Sequence, residues 1–239
     1  MRFLPLAFFA ILGACTPVVV QRTNPPPFVQ PTASPPVPPR LSPRQAVANF
    51  EFVVGQLEPV AEQYCRARSQ QVNCDFRIVV DERPGGGVNA FQTLDRNGRP
   101  IIGFTIPLIA EARNRDELAL VMAHEAAHHI RGHLPRQQQN AALGGLLAGA
   151  LAGVLGATDA GSIESAQRLG ASVGGRSYSK EFELEADALG ARIAAAAGFD
   201  PLRGAAFFQR IPDPGNRFLG THPPNADRLR TVQRVAAGL

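Results

Sequence analysis

His124-Glu125-Ala126-Ala127-His128 lies in a stretch that is otherwise almost wholly apolar from Leu118 to Ile130. This pentapeptide constrains the chain more than any other, because it asks for a buried helix with a single polar arc. At about 100° per residue, His124, Glu125 and His128 fall within one arc roughly a third of the circumference wide, with Leu118, Met122, Ala123, Ala126 and Ala127 on the rest. Tetrahedral zinc takes neutral nitrogens at about 2.0 Å, and two histidines one helical turn apart supply two of them without distorting the backbone. Glu125 then stands beside them to accept a proton from an activated water. A buried helix whose histidines are merely hydrogen-bonded is the alternative reading.

A hydrolytic zinc site needs a third protein ligand and one open position. The best donor lies in the acidic run Ser179 to Asp187, which opens a second helix with the apolar stripe Phe182, Ala186, Leu189 and Ile193. Gly198 ends that helix, and Asp200-Pro201 begins the next as N-cap and first-turn proline. Glu183 and Asp187 share one flank with the small residues Gly190 and Ala194, which lets that side approach another backbone closely. Glu181 and Glu185 lie on the other flank with Arg192, where a solvated charge cluster is expected. Glu183 is therefore preferred to Glu185 as ligand, with Asp187 as the carboxylate that orients a ligating histidine.

His-Glu-x-x-His followed some 50 residues later by Ser179-Lys180-x-x-Glu183-x-x-Ala186-Asp187 resembles the gluzincin zinc metallopeptidases related to HtpX, the CAAX prenyl proteases and the mitochondrial Oma proteases. The resemblance covers about residues 45 to 235. It implies one zinc ion per chain held by His124, His128 and Glu183, peptide-bond hydrolysis with Glu125 as base, and polypeptide substrates in envelope quality control. It also takes in Asn89-Ala90-Phe91, matching the family's active-site edge strand, and Thr221-His222-Pro223, similar to a loop that approaches the metal in periplasmic members. His222 is thus a candidate gate or oxyanion donor, and Tyr178 a second oxyanion candidate. Lys180 departs from the arginine usual in the family, replacing a bidentate guanidinium by a point charge.

Met1 and Arg2 precede the apolar run Phe3 to Leu12, and Leu12-Gly13-Ala14 sets small residues before Cys15. This reads as a lipoprotein signal over residues 1–14 with Cys15 lipidated, the run being too short to span a bilayer. Thr16 gives no retention signal of the aspartate type, so the resemblance to bacterial lipoproteins points to the periplasmic face of an outer membrane. Residues 15–43 hold Pro25-Pro26-Pro27, Pro35-Pro36 and Pro38-Pro39, a composition suited to a semi-rigid extended tether. Residues 44–239 are long enough for one domain with a sizeable core.

Cys65 and Cys74 bracket a short polar stretch and, in an oxidising compartment, suit a disulfide. The net charge of +4 is dispersed, which excludes a nucleic-acid surface and leaves at most a mild preference for anionic membrane. The pattern predicts a long helix from Ser42-Pro43 to about Arg68, strands over Phe76 to Asp81, Val88 to Leu94 and Ile101 to Thr105, and a hairpin turn at Asn97-Gly98. Asp116 is expected to cap the metal helix. The fold class is thus α+β, mainly helical, with a small sheet beside the active-site helix. Ala141 to Ala157 carries 17 uncharged residues and is read as a helix at the mouth of the site in preference to a transmembrane segment. Extrapolated along the metal helix, His129 and His133 project away from the His124 arc and are read as structural or exposed.

Two functions fit these features. One is a membrane-tethered zinc endopeptidase whose substrate strand adds to the edge at Asn89-Ala90-Phe91. The other is a zinc-binding chaperone or interaction protein whose site is latched by His222. Glu125 favours the enzyme, since a purely structural site needs no base.

Overall fold

The computed structural model describes residues 38–68, 71–176, 179–213 and 223–239. Residues 1–14, Cys15, the tether to Val37, Tyr178 and the Thr221-His222 part of the late loop lie outside these. Pro38–Leu239 forms a unit of its own.

Helix α1, Pro43–Arg68, begins where Gln45 Oε1 accepts from both the amide and the hydroxyl of Ser42, at 3.0 Å and 2.8 Å. Its buried residues Val53, Leu57, Ala61 and Cys65 recur at helical spacing and pack on the metal helix. Cys65 is joined to Cys74 as a disulfide, with Cα atoms 5.7 Å apart, so the end of α1 is tied to the segment that leads into the first strand.

Three strands follow: β1 (Arg77–Asp81), β2 (Ala90–Leu94) and β3 (Pro100–Thr105). Their spatial order is β1-β3-β2, with β1 parallel and β2 antiparallel to the central strand. β3 is accordingly the most buried, and β2 stands at an edge. The β2–β3 turn closes through Asp95, which takes the amides of Asn97 and Arg99 on its side chain, while Gly98 supplies the positive φ of 78°. Phe91 lies opposite Gly103, and its ring occupies the space a Cβ there would need. Asn89 precedes β2 instead of belonging to it, yet it is held to Thr105 by its amide and carbonyl at 3.0 Å and 2.9 Å.

A short helix α2 (Ile106–Glu111), capped by Thr105, leads to the metal helix α3 (Arg115–Ile130). The cap of α3 is Asn114, not Asp116: the Asn114 side chain accepts from the Glu117 amide at 3.0 Å. Asp116 sits in the first turn and is turned to a tertiary role, accepting the Asp200 amide and pairing with Arg203. Gly132, at φ 65°, breaks the helix after Ile130, and α4 (His133–Val154) starts in a new direction. α4 and α5 (Ala160–Arg176) form a hairpin of their own. Among the described residues, no helix is long and apolar enough to cross a membrane.

Helix α6 (Ser179–Ala196) lies against α3, with Gly190 at the His124 backbone. It ends at Gly198, φ 85°, after which Asp200 caps α7 (Pro201–Ala205) by accepting the Leu202 and Arg203 amides. A 3-10 turn, Ala206–Gln209, and α8 (Asn225–Ala236) complete the domain, α8 packing on α6. The result is α+β and mostly helical, with the small sheet beside α3.

Candidate metal centre

α3 brings His124 and His128 one turn apart with their Nε2 atoms 3.0 Å from each other. From α6 the Glu183 carboxylate reaches both, Oε2 at 3.4 Å from His124 Nε2 and Oε1 at 3.3 Å from His128 Nε2. Ligand atoms of these three residues all lie within 4.8 Å of one another. Nitrogens about 2.0 Å from a tetrahedral centre stand roughly 3.3 Å apart, so two imidazoles and one carboxylate at these separations fit zinc with a fourth position left over. Glu185, two residues on, points elsewhere and bonds His133 and Arg136.

The approach of α6 depends on Gly190, where a Cβ would lie 2.9 Å from the His124 amide nitrogen. It also depends on the flank that Glu183 and Asp187 share, which is buried with Ala186 and Ala194. Asp187, fully buried, receives the His124 Nδ1–H at 2.9 Å. Burial and the nearby Arg228 guanidinium push the His124 imidazolium down, but its bonds to Asp187 and Glu183 outweigh both and hold it up at about 10. His124 would hold a metal through Nε2, with Nδ1–H kept on Asp187. Burial alone would raise the Asp187 carboxyl; Arg228 and His124 together hold it below the usual range.

Arg228 escapes the sequence reading. It donates to both Asp187 oxygens, at 2.9 Å and 2.7 Å, and lies over the Phe208 ring at 4.0 Å. A signal was present, since Arg228 shares helical spacing with Thr231, Val232 and Val235, and a cation on a buried stripe requires a carboxylate partner. His133 departs from the reading: it is 3% exposed, and its Nδ1 is 2.9 Å from His128 Nδ1. The chain turns at Gly132, so His133 belongs to α4 and does not follow the periodicity of α3. His129 is structural, bonding the Asn73 carbonyl at 2.8 Å with Phe76 edge-on.

Glu125 faces a cavity of about 570 Å³ together with the three candidate ligands His124, His128 and Glu183. Asn89, Ala90, Phe91 and Gln92 form one wall, and Leu120, Phe182, Phe207, Phe208 and Ile211 supply an apolar lining. Polar groups converging inside a largely apolar cleft are the general form of a ligand-binding site. Residues 54–236 match the family profile of peptidase family M48.

The chain belongs to peptidase family M48. M48 peptidases are zinc metalloproteases, in keeping with the donor set at the cavity floor. Among relatives, a β-barrel assembly-enhancing protease of Yersinia pestis is 33% identical over 232 residues, 82% of this chain and 45% of that protein. The β-barrel assembly-enhancing protease of Escherichia coli O157:H7 is 34% identical over 137 residues, 52% of this chain and 28% of its own length. The chain thus spans less than half the length of these relatives.

Proposed function

We propose that this chain is a zinc-dependent endopeptidase of the bacterial cell envelope, tethered through a lipid on Cys15 and acting in quality control of envelope proteins. The observation that carries the proposal is the convergence of His124, His128 and Glu183 beside Glu125 at the floor of a cleft walled by an edge strand. Two relatives are named for β-barrel assembly, and such barrels are built in outer membranes, which supports the envelope as the place of action.

His124, His128 and Glu183 would hold the zinc, which when bound would supply a Lewis acid at the floor of the cleft. Glu125, next to His124 in sequence and open to the cavity, is placed to accept a proton from the attacking water and return it to the leaving amine. Asp187 keeps His124 in the Nδ1–H tautomer, and Arg228 keeps Asp187 ionised. The free edge of β2 holds an extended substrate by main-chain hydrogen bonds, which positions a peptide without demanding particular side chains.

The test is Glu125→Gln, which should retain zinc and fold while lowering peptide hydrolysis at least about a hundredfold, the scale of a lost general base. Turnover near the wild-type rate would defeat the mechanism. For the tether, Cys15→Ser should block lipid attachment and lipoprotein-type signal processing, leaving a precursor or a soluble form; unchanged membrane fractionation with no acyl label on the wild type would refute lipid anchoring.

A further inference from the structure

The two imidazoles at the metal site are supported unequally. His124 bonds a carboxylate directly, whereas the outer nitrogen of His128 meets another imidazole. We propose that His133 and Glu185 are positioning residues that fix the ring and tautomer of His128 for the metal. The inference rests on the reading of His124, His128 and Glu183 as the zinc ligands.

His128 turns Nε2 toward His124 and Glu183, leaving Nδ1 2.9 Å from His133 Nδ1. A ligating imidazole is neutral, so with Nε2 committed to the metal its hydrogen sits on Nδ1. His133 Nδ1 must then accept that hydrogen. Its own hydrogen is placed on Nε2, which lies 3.2 Å from Glu185 Oε2. One proton arrangement satisfies every member: His128 Nδ1–H donates to His133, and His133 Nε2–H donates to the Glu185 carboxylate. The same carboxylate oxygen accepts from Arg136 Nη1 at 3.3 Å.

Packing holds the relay in register. The His133 ring stacks on Phe182, with centroids 4.6 Å apart and planes 8° from parallel, and its side chain is 4% exposed. Arg136 lies 4.3 Å from the centroid of the same Phe182 ring while bonding Glu185. The first turn of α4 and the opening of α6 are thereby clamped around one imidazole. A carboxylate behind an imidazole makes the ligand more basic and prevents its rotation; here that influence reaches His128 through His133.

The test compares zinc affinity, by competition with a chromophoric chelator, and the visible spectrum after cobalt substitution, in the full chain. His133→Phe keeps the stack on Phe182 but removes both nitrogens. It should weaken zinc binding about 10- to 100-fold and change the cobalt bands. Glu185→Leu should weaken binding in the same direction by less. His133→Asn, whose Oδ1 can stand where Nδ1 stood, should retain most of the affinity. Zinc affinity within about twofold of wild type and an unchanged cobalt spectrum in His133→Phe would overturn the assignment. If His133→Phe does not fold, wild-type affinity in Glu185→Leu overturns it instead. A wild-type chain that takes up no zinc would refute the ligand reading itself, a failure separate from that of the relay.

Discussion

The pair α3–α6 and the pair α4–α5 use glycine in the same way and end in opposite surroundings. A Cβ on Gly190 would come 2.9 Å from the His124 nitrogen, and one on Gly144 would come 2.2 Å from the Gly170 carbonyl oxygen. Both contacts let two helix backbones approach closely. Yet α3 and α6 are buried along most of their length, while α4 buries only His133, Gly145 and Gly149, and no residue of α5 is buried. Leu146, Leu147 and Leu155 stand 67%, 71% and 77% exposed. Glycine thus sets how near two helices come, and burial depends on what covers their other sides. For α3 that cover is α1 and the sheet; for α6 it includes α8. The metal-facing residues lie on the covered pair, where closely packed neighbours hold side chains in one rotamer.

Glu183→Ala should separate the two regions most sharply. It should abolish stoichiometric zinc, whereas removal of an exposed carboxylate from the hairpin, Glu164→Ala, should leave zinc per chain unchanged. Glu185→Ala should still fill with zinc at high concentration; if it empties while Glu183→Ala stays loaded, the ligand assignment is reversed.

The next contrast is in stability. Leu189→Ala, in the fully buried stripe of α6, should cost about 2–5 kcal/mol in denaturant unfolding, and Leu147→Ala on the hairpin should stay within about 0.5 kcal/mol. A similar cost at both positions would mean that α4 is covered in solution.

A finer contrast concerns the glycines. Gly190→Ala should destabilise the fold by about 1–3 kcal/mol through overpacking, and should also weaken zinc binding by shifting α6 from His124. Gly144→Ala meets backbone even more closely, but the strain falls within the hairpin, so zinc affinity should hold. Loss of zinc affinity in Gly144→Ala would show that the hairpin and the site are mechanically coupled.

Local order along the chain determined a good deal. The period of apolar residues around His124 and His128 defined α3, and the Phe182, Ala186, Leu189, Ile193 stripe with its small-residue flank defined α6 and the side on which Glu183 and Asp187 project. Asn97-Gly98 marked the hairpin, and Gly198 with Asp200-Pro201 marked a helix end and the next start. These features are readable because each arises from interactions within a few residues. Tertiary structure alone decided the rest. β2 is an edge because β1 joins the far side of β3 in parallel, a pairing no local pattern encodes. Asn114 and not Asp116 caps α3 because Asp116 is drawn to α7, and His133 returns to His128 because one left-handed glycine redirects the chain. Arg228 reaches Asp187 across 41 residues, since a buried carboxylate needs a cation and the packing of α8 on α6 brings one there.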